Sequence, residues 1–206
     1  MRKHLLQLGW QVYRDQGLWS LIHHAIGEIG YRRVLLLERS LAAPIPVVQS
    51  KASMTIEWLT DSDSTDYFAF RPKTDRELYA DRLRQGHRCL LARVEGRLAG
   101  VMWVRSGSVW SYQSKYLHYE RQFAPNEAYL YDAYTDPAFR GQAIAPALSS
   151  ELLNRLRNEG CERAIRGTHP MNAAALRAHG KAGFRPFVAI HQVHFWRWHH
   201  VWQRAR

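Results

Sequence analysis

Between Tyr129 and Leu148 the chain reads Tyr-Leu-Tyr-Asp-Ala-Tyr-Thr-Asp-Pro-Ala-Phe-Arg-Gly-Gln-Ala-Ile-Ala-Pro-Ala-Leu, an aromatic-rich strand that passes through a Thr-Asp-Pro turn into a run of small residues. Leu148, Leu152, Leu153 and Leu156 then recur at helical spacing, so an amphipathic helix opens directly after Arg140–Ala145. A helix start carries N–H groups with no partner inside the helix, together with the positive end of its dipole. Those donors make an anion site, and Gly141, Ala143 and Ala145 keep the approach to the backbone open. The chemistry expected at this loop is the binding of a phosphate group, foremost a pyrophosphate.

Strand, turn, Arg-Gly-x-small-x-small and helix together resemble the acyl-CoA-binding motif of the GNAT acyltransferase superfamily. That motif is Gln/Arg-x-x-Gly-x-Gly/Ala, and here it reads Arg140-Gly141-Gln142-Ala143-Ile144-Ala145, with Ala143 where the family usually has glycine. A second segment, Asn172-Ala-Ala-Ala-Leu-Arg-Ala-His179-Gly-Lys-Ala-Gly183-Phe184, is similar to the family's later helix, Asn-x-x-Ala-x-x-Leu-Tyr-x-x-x-Gly-Phe. Asn172, Ala175, Gly183 and Phe184 fall in register, and His179 takes the tyrosine position. The resemblance covers about residues 55 to 195. It implies an α/β fold with a mixed central sheet of the GNAT type and acyl transfer from acetyl-CoA or another acyl-CoA to an amine, with no metal. By the same resemblance, backbone groups around Ala133 and Thr135 meet the pantetheine arm and Arg140, Gly141, Gln142, Ala143, Ile144 and Ala145 hold the pyrophosphate. Asn172 would hydrogen-bond the cofactor, and His179 would protonate the leaving thiolate.

A histidine suits that last role because its ordinary pKa lies near neutrality. The bland alternative is a helical histidine stacked on Phe184 or Trp196, and Asn172 equally suits a plain helix N-cap. The general base has three candidates. Glu127 lies on the strand before the loop and, by alternation, shares a face with Tyr129, Tyr131 and Ala133. Asp132 then points to the other face, and His169 precedes Pro170. Some family members carry a carboxylate on the next strand, at a position that is Gly167 here. No His/Cys/carboxylate cluster with metal-ligand spacing accompanies the eleven histidines.

The elements that must position these residues follow from pattern. Strands are expected at Met54–Leu59, Arg88–Val94, Leu98–Val104, Glu127–Thr135 and Ala164–Gly167, with one or two more in Arg185–Trp198. Glu95-Gly96 is a hairpin turn. Helices are expected at Asp75–Gln85, Gly141–Asn158 and Asn172–Ala182, with Thr60–Thr65 a polar loop or cap and Ser106–Pro125 unassigned. Residues 3 to 39 read as one broken helix or two, on the stripes Leu5, Leu6, Leu8, Val12 and Leu18, Leu21, Ile22, Ala25, Ile26, Ile29. Ala42–Pro46 ends that region as a linker. The expected division is therefore an N-terminal helical appendage and linker over 1–48 and a GNAT-like domain over 49–206.

A chain of 206 residues supports one good core, and the two cysteines, Cys89 and Cys161, form no disulfide framework. They point to a reducing, cytoplasmic setting. The net charge of +11 suits acidic partners: CoA phosphates, an acyl carrier protein, a nucleotide-linked substrate, an anionic membrane or nucleic acid. No nucleic-acid recognition motif accompanies the charge. Residues 1–48 are too interrupted to span a bilayer and are expected to cover their apolar stripes against the domain or a second subunit, as in a homodimer. Peripheral contact with the inner face of a membrane is the alternative. The basic, aromatic tail His191–Arg206 is read as closing the core at the sheet edge, against stacking on a ligand or lying at a membrane surface. Two rival readings stand beside the enzyme: a non-catalytic acyl-CoA or acyl-carrier-protein binding module, and a basic membrane- or nucleic-acid-associated protein.

Overall fold

The computed structural model describes residues 30–107, 109–114, 117–195 and 198–206, so both helical stripes from Leu5 to Ile29 lie outside the described residues. In chain order the elements are β1 (Tyr31–Ser40), β2 (Thr55–Trp58), α1 (Ser64–Phe70), α2 (Arg76–Arg84), β3 (Arg88–Val94), β4 (Arg97–Ser106), β5 (Val109–Ser114), β6 (Leu117–Gln122), β7 (Glu127–Thr135), α3 (Ile144–Asn158), β8 (Arg163–Thr168), α4 (Ala173–Lys181), β9 (Arg185–Phe195) and β10 (Trp198–Ala205). They divide into two compact units. The first holds Arg39–Trp110 and Gln122–Arg166; the second holds the chain up to Glu38, Ser111–Arg121 and Gly167–Arg206.

The first unit is built on a mixed sheet. β2, β3, β4 and β7 pair antiparallel in that order, and β8 joins β7 in parallel. The β3–β4 hairpin turns at Glu95 and Gly96, both left-handed at φ 50° and 76°, as a two-residue turn of the right twist requires. Helix α3 packs on β3, β4 and β7 and buries Ile144, Ala147, Leu148, Leu152, Leu153 and Leu156, the stripe its sequence spacing predicts. The opposite region of the core is aromatic: Tyr67, Tyr79 and Trp103 are buried together, and the Trp103 indole N–H donates to the Tyr67 hydroxyl at 2.9 Å. Arg93 ties the helical side to the sheet, with Glu57, Asp63 and Asp66 at 2.8, 2.8 and 3.0 Å. The segment read as a linker is pinned to this unit: Leu41 and Ile45 are buried, and Ser150 Oγ donates to the Pro46 carbonyl at 2.6 Å.

In the second unit β1 and β10 flank β9, both antiparallel. The helical reading of residues 31–39 is thus corrected: Tyr31–Ser40 is a strand, and its Leu35, Leu36 and Leu37 are all buried. A strand covered on both faces shows an unbroken apolar run, which does not alternate and is easily joined to a preceding helical pattern. Helix α4 is N-capped by Asn172, whose Oδ1 accepts from the Ala175 N–H at 3.0 Å. The tail forms β10, but Trp202 is 38% exposed and stacks on His191 at 5.1 Å, so this tryptophan lies on the surface and does not close the core. β5 and β6, within the unassigned segment, pair as a separate two-stranded ribbon. Among the described residues no helix is long and apolar enough to cross a membrane.

Candidate active site

β7 carries the site's backbone. Its pairing with β8 runs only from Glu127–Arg163 to Leu130–Arg166, whereas β7 continues to Thr135. Tyr131–Thr135 therefore present main-chain groups on an edge that β8 does not occupy. On its other edge β7 is bulged: Val101 faces Tyr134 and Trp103 faces Tyr131, so three steps on β7 oppose two on β4. The extra residue falls at Asp132, which is left-handed at φ 46°. A bulge of this kind bends the strand and re-aims side chains. Strict alternation is lost here, and the expectation that Asp132 turns away from Tyr131 is corrected. Arg82 lies over the Tyr131 ring at 5.0 Å and also donates to Asp132 at 2.7 Å, so the two residues meet the same guanidinium. Ala133 is exposed, and Tyr134 packs with the aromatic cluster in the place that alternation gives Ala133.

The strand ends on Thr135, opposite Gly100. Asp136 turns the chain, its N–H donating to Ala99 and its Oδ1 accepting from Ala138 at 2.7 Å. Arg140 and Gly141 are exposed, and a side chain added at Gly141 would meet nothing within 4 Å. Ala143 is the N-cap residue of α3, left-handed at φ 62°, and makes no side-chain cap. For a non-glycine residue that conformation costs about 1–2 kcal/mol, which is the physical sense of the family's glycine. Ile144 and Ala145 begin the helix, so their N–H groups have no intrahelical acceptor, while Pro146 has no N–H to offer. Two supports of this loop are invisible in the motif. Lys51 N–H and Ser50 Oγ both donate to the Gln142 carbonyl, at 2.9 and 3.0 Å. Gly100 lets Ile144 approach β4, since a Cβ there would stand 3.1 Å from Ile144 Cγ2. An unoccupied strand edge thus runs into an uncapped helix start, a fit for an arm bearing amides and ending in phosphates.

The three base candidates are all engaged. Glu127 is buried, pairs with Arg163 and accepts from the Ala124 N–H at 3.0 Å. It also lies at the opposite end of β7 from the loop, roughly 25 Å from Thr135 at the rise of a strand. Asp132 is bound by Arg71 at 2.8 Å and Arg82 at 2.7 Å, one on each oxygen. His169, in the second unit, accepts from the Met171 N–H at 3.3 Å. Sequence reasoning missed a different pair beside the bulge. His87 Nδ1 and the Tyr131 hydroxyl lie 2.6 Å apart. Burial, then the charges of Arg105 and Arg82, push His87 down to about 4, and burial pushes the Tyr131 hydroxyl up. Both are therefore neutral near pH 7. Arg105 adds a buried guanidinium whose Nε and Nη2 have no hydrogen-bond partner. Nothing marks His87 in sequence except its place before a strand. Asn172 and His179 belong to the second unit; the His179 ring meets Phe184 edge-on at 6.1 Å, as the bland reading anticipated.

Known proteins share this architecture. A GNAT-family protein structure from Novosphingobium aromaticivorans DSM 12444 matches with TM-score 0.57 and 22% identity over 79% of this chain and 63% of that one. A GCN5-related N-acetyltransferase from Sphaerobacter thermophilus matches with TM-score 0.57 and 14% identity, over 92% and 57%. The aminoglycoside N-acetyltransferase AAC(6')-Iy, solved with the bisubstrate analogue CoA-S-monomethyl-acetylneamine, matches with TM-score 0.51 and 17% identity, over 65% and 92%. The chain thus spans less than two thirds of the first two of these proteins. No curated protein sequence matches it. The family model for GNAT acetyltransferases matches residues 54–184, from β2 through the bulged strand and the phosphate-type loop to Phe184 at the end of the second motif, and the chain belongs to that family.

Proposed function

We propose that the chain is an acyl-CoA-dependent N-acyltransferase, with acetyl-CoA as the donor and a primary amine as the acceptor. One observation carries the reading: within a single unit, the edge Tyr131–Thr135 leads directly into the uncapped start of α3. Main-chain groups near Ala133 and Thr135 would hold the pantetheine arm, and Arg140–Ala145 the pyrophosphate. By the family resemblance alone, Asn172, whose oxygen caps α4, would also hydrogen-bond the cofactor. When bound, the cofactor's thioester supplies the acyl group. Tyr131 stands at the far end of the unoccupied edge, roughly 13 Å from Thr135 at the rise of a strand. Its Oη, held 2.6 Å from the neutral His87 Nδ1, would accept a hydrogen bond from the attacking amine and orient it, with no proton passing to His87, which burial and two arginines hold down to about 4. Glu127 then braces β7 through Arg163 and does not act as the base. By the same resemblance, His179 would be the proton donor to the leaving thiolate.

Ala143 in a glycine position, and β7 carboxylates held by arginines, favour a second reading, a module that binds acyl-CoA without turnover. Release of free thiol from acetyl-CoA with a panel of amines separates the two. Turnover that falls on the order of 10²-fold in Tyr131→Phe, and less in His87→Gln, with acetyl-CoA affinity retained, is expected for the enzyme. Thermal stabilisation by acetyl-CoA with no thiol release supports the module. Bulky replacement of Gly141 and Ala145 together should abolish calorimetric binding of acetyl-CoA, and unchanged affinity in that folded variant would sink both.

A further inference from the structure

The second unit presents three guanidiniums around one depression. Antiparallel partners project to the same face of a sheet, so the register places Arg33, His191 and Trp202 in one row and Leu35, Ala189 and Arg204 in the next. Arg206 follows at the end of β10, its N–H donating to the Phe187 carbonyl at 3.0 Å. Alanine at the centre of the second row leaves a space that a larger side chain would fill. The outcome is a cavity of about 520 Å³ lined by Arg33, Ala189, His191, Arg204, Ala205 and Arg206. A small molecule suits that volume better than a broad macromolecular surface does.

The charge in the cavity is unbalanced. Among the described residues no carboxylate pairs with Arg33, Arg204 or Arg206. Arg33 Nε is buried with no hydrogen-bond partner, and a guanidinium can neither accept a hydrogen bond nor shed its charge. His191 adds no acid: its Nδ1 lies 2.8 Å from the Tyr31 hydroxyl, and its ring is stacked on Trp202. Burial and then Arg204 push His191 below the ordinary histidine value, leaving it a neutral wall near pH 7. Arg33 approaches from β1 and the other two from β10, so the donors flank the cavity on both sides. A tetrahedral phosphate offers oxygens in several directions at once, whereas a carboxylate receives a guanidinium fork in its plane.

We propose that this cavity binds a phosphate-bearing small molecule, independently of the phosphate contacts assigned to Arg140–Ala145. Calorimetric titration of inorganic pyrophosphate into the full chain tests this. The double variant Arg204→Gln/Arg206→Gln, at two exposed positions, should weaken pyrophosphate binding by at least roughly tenfold, as loss of charge-assisted hydrogen bonds predicts. Its melting temperature and acetyl-CoA affinity should be unchanged. Arg33→Gln, on the opposite flank, should act in the same direction. Pyrophosphate binding that survives these variants but vanishes with bulky residues at Gly141 and Ala145 would place the anion at the loop and overturn the proposal. Absence of pyrophosphate binding by the folded wild type would also overturn it, and citrate binding as tightly would overturn the choice of phosphate over carboxylate. Acetyl-CoA is titrated separately, so failure here leaves the acyl-CoA reading standing.

Discussion

His87 makes the site's chemistry measurable at the scale of one residue. Its folded-state pKa is depressed to about 4, first by burial and then by Arg105 and Arg82. Between that value and the ordinary 6.5 the unfolded chain holds a proton that the folded chain does not. The stability due to neutral burial of His87 is therefore fully present above about pH 6.5 and is lost as pH falls from there toward about 4. His87→Gln removes this dependence. Its melting temperature should lie below that of the wild type at pH 7, and the gap should narrow on acidification. A gap that stays constant from pH 7 to 4.5 would show that His87 is not buried neutral. The loop residues were legible in sequence because a helix start after a strand has a local signature. The carboxylates of β7 were not. Whether Glu127 is a base or a brace depends on Arg163, brought alongside only by parallel pairing with a strand from beyond α3. Likewise the partners of Asp132 are Arg71, just past α1, and Arg82 on α2, 61 and 50 residues away in the chain.

Among elements, the long periodic ones were readable and the irregular ones were not. α3 and the β3–β4 hairpin match their sequence signals, a leucine stripe and a Glu-Gly turn. The β7 bulge has no sequence mark, because a left-handed aspartate is chosen by its tertiary contacts with Arg71 and Arg82. It shifts the alternation of every side chain beyond it. Gly100 is equally silent in sequence, yet it controls how closely the start of α3 approaches β4. Besides Ile144 Cγ2, an added Cβ would meet the Tyr134 carbonyl oxygen at 3.4 Å and Thr135 Oγ1 at 3.7 Å. Valine there must push against a helix start and a strand end. Overpacking of this kind costs about 1–3 kcal/mol, and the displacement falls on the loop itself. Gly100→Val should lower both the melting temperature and the calorimetric affinity for acetyl-CoA. Full affinity in a folded Gly100→Val chain would mean that this contact does not set the loop.

For the whole molecule, the decisive revision concerns residues 31–48. A helical appendage could be removed while the domain remained, but β1 is a long, buried strand of its unit. It pairs with β9 from Tyr31 to Glu38. Leu35, Leu36 and Leu37 are 4, 0 and 1% exposed. Burying three leucines contributes roughly 5–9 kcal/mol at about 1.5–3 kcal/mol each, which is the order of a domain's entire stability. The following residues are equally committed, through buried Leu41 and Ile45 and the bond from Ser150 to Pro46. A chain lacking residues 1–48 also leaves one edge of β9 unpaired, and an apolar exposed edge recruits other chains. That truncation should therefore lose its cooperative thermal transition and aggregate in size-exclusion chromatography. Lipid binding or oligomerisation by the N-terminal segment is instead tested by a chain starting at Gly30, which keeps β1 whole. A truncation of residues 1–48 that stays soluble, with a wild-type circular dichroism spectrum and a sharp melt, would show that β1 is dispensable to the fold.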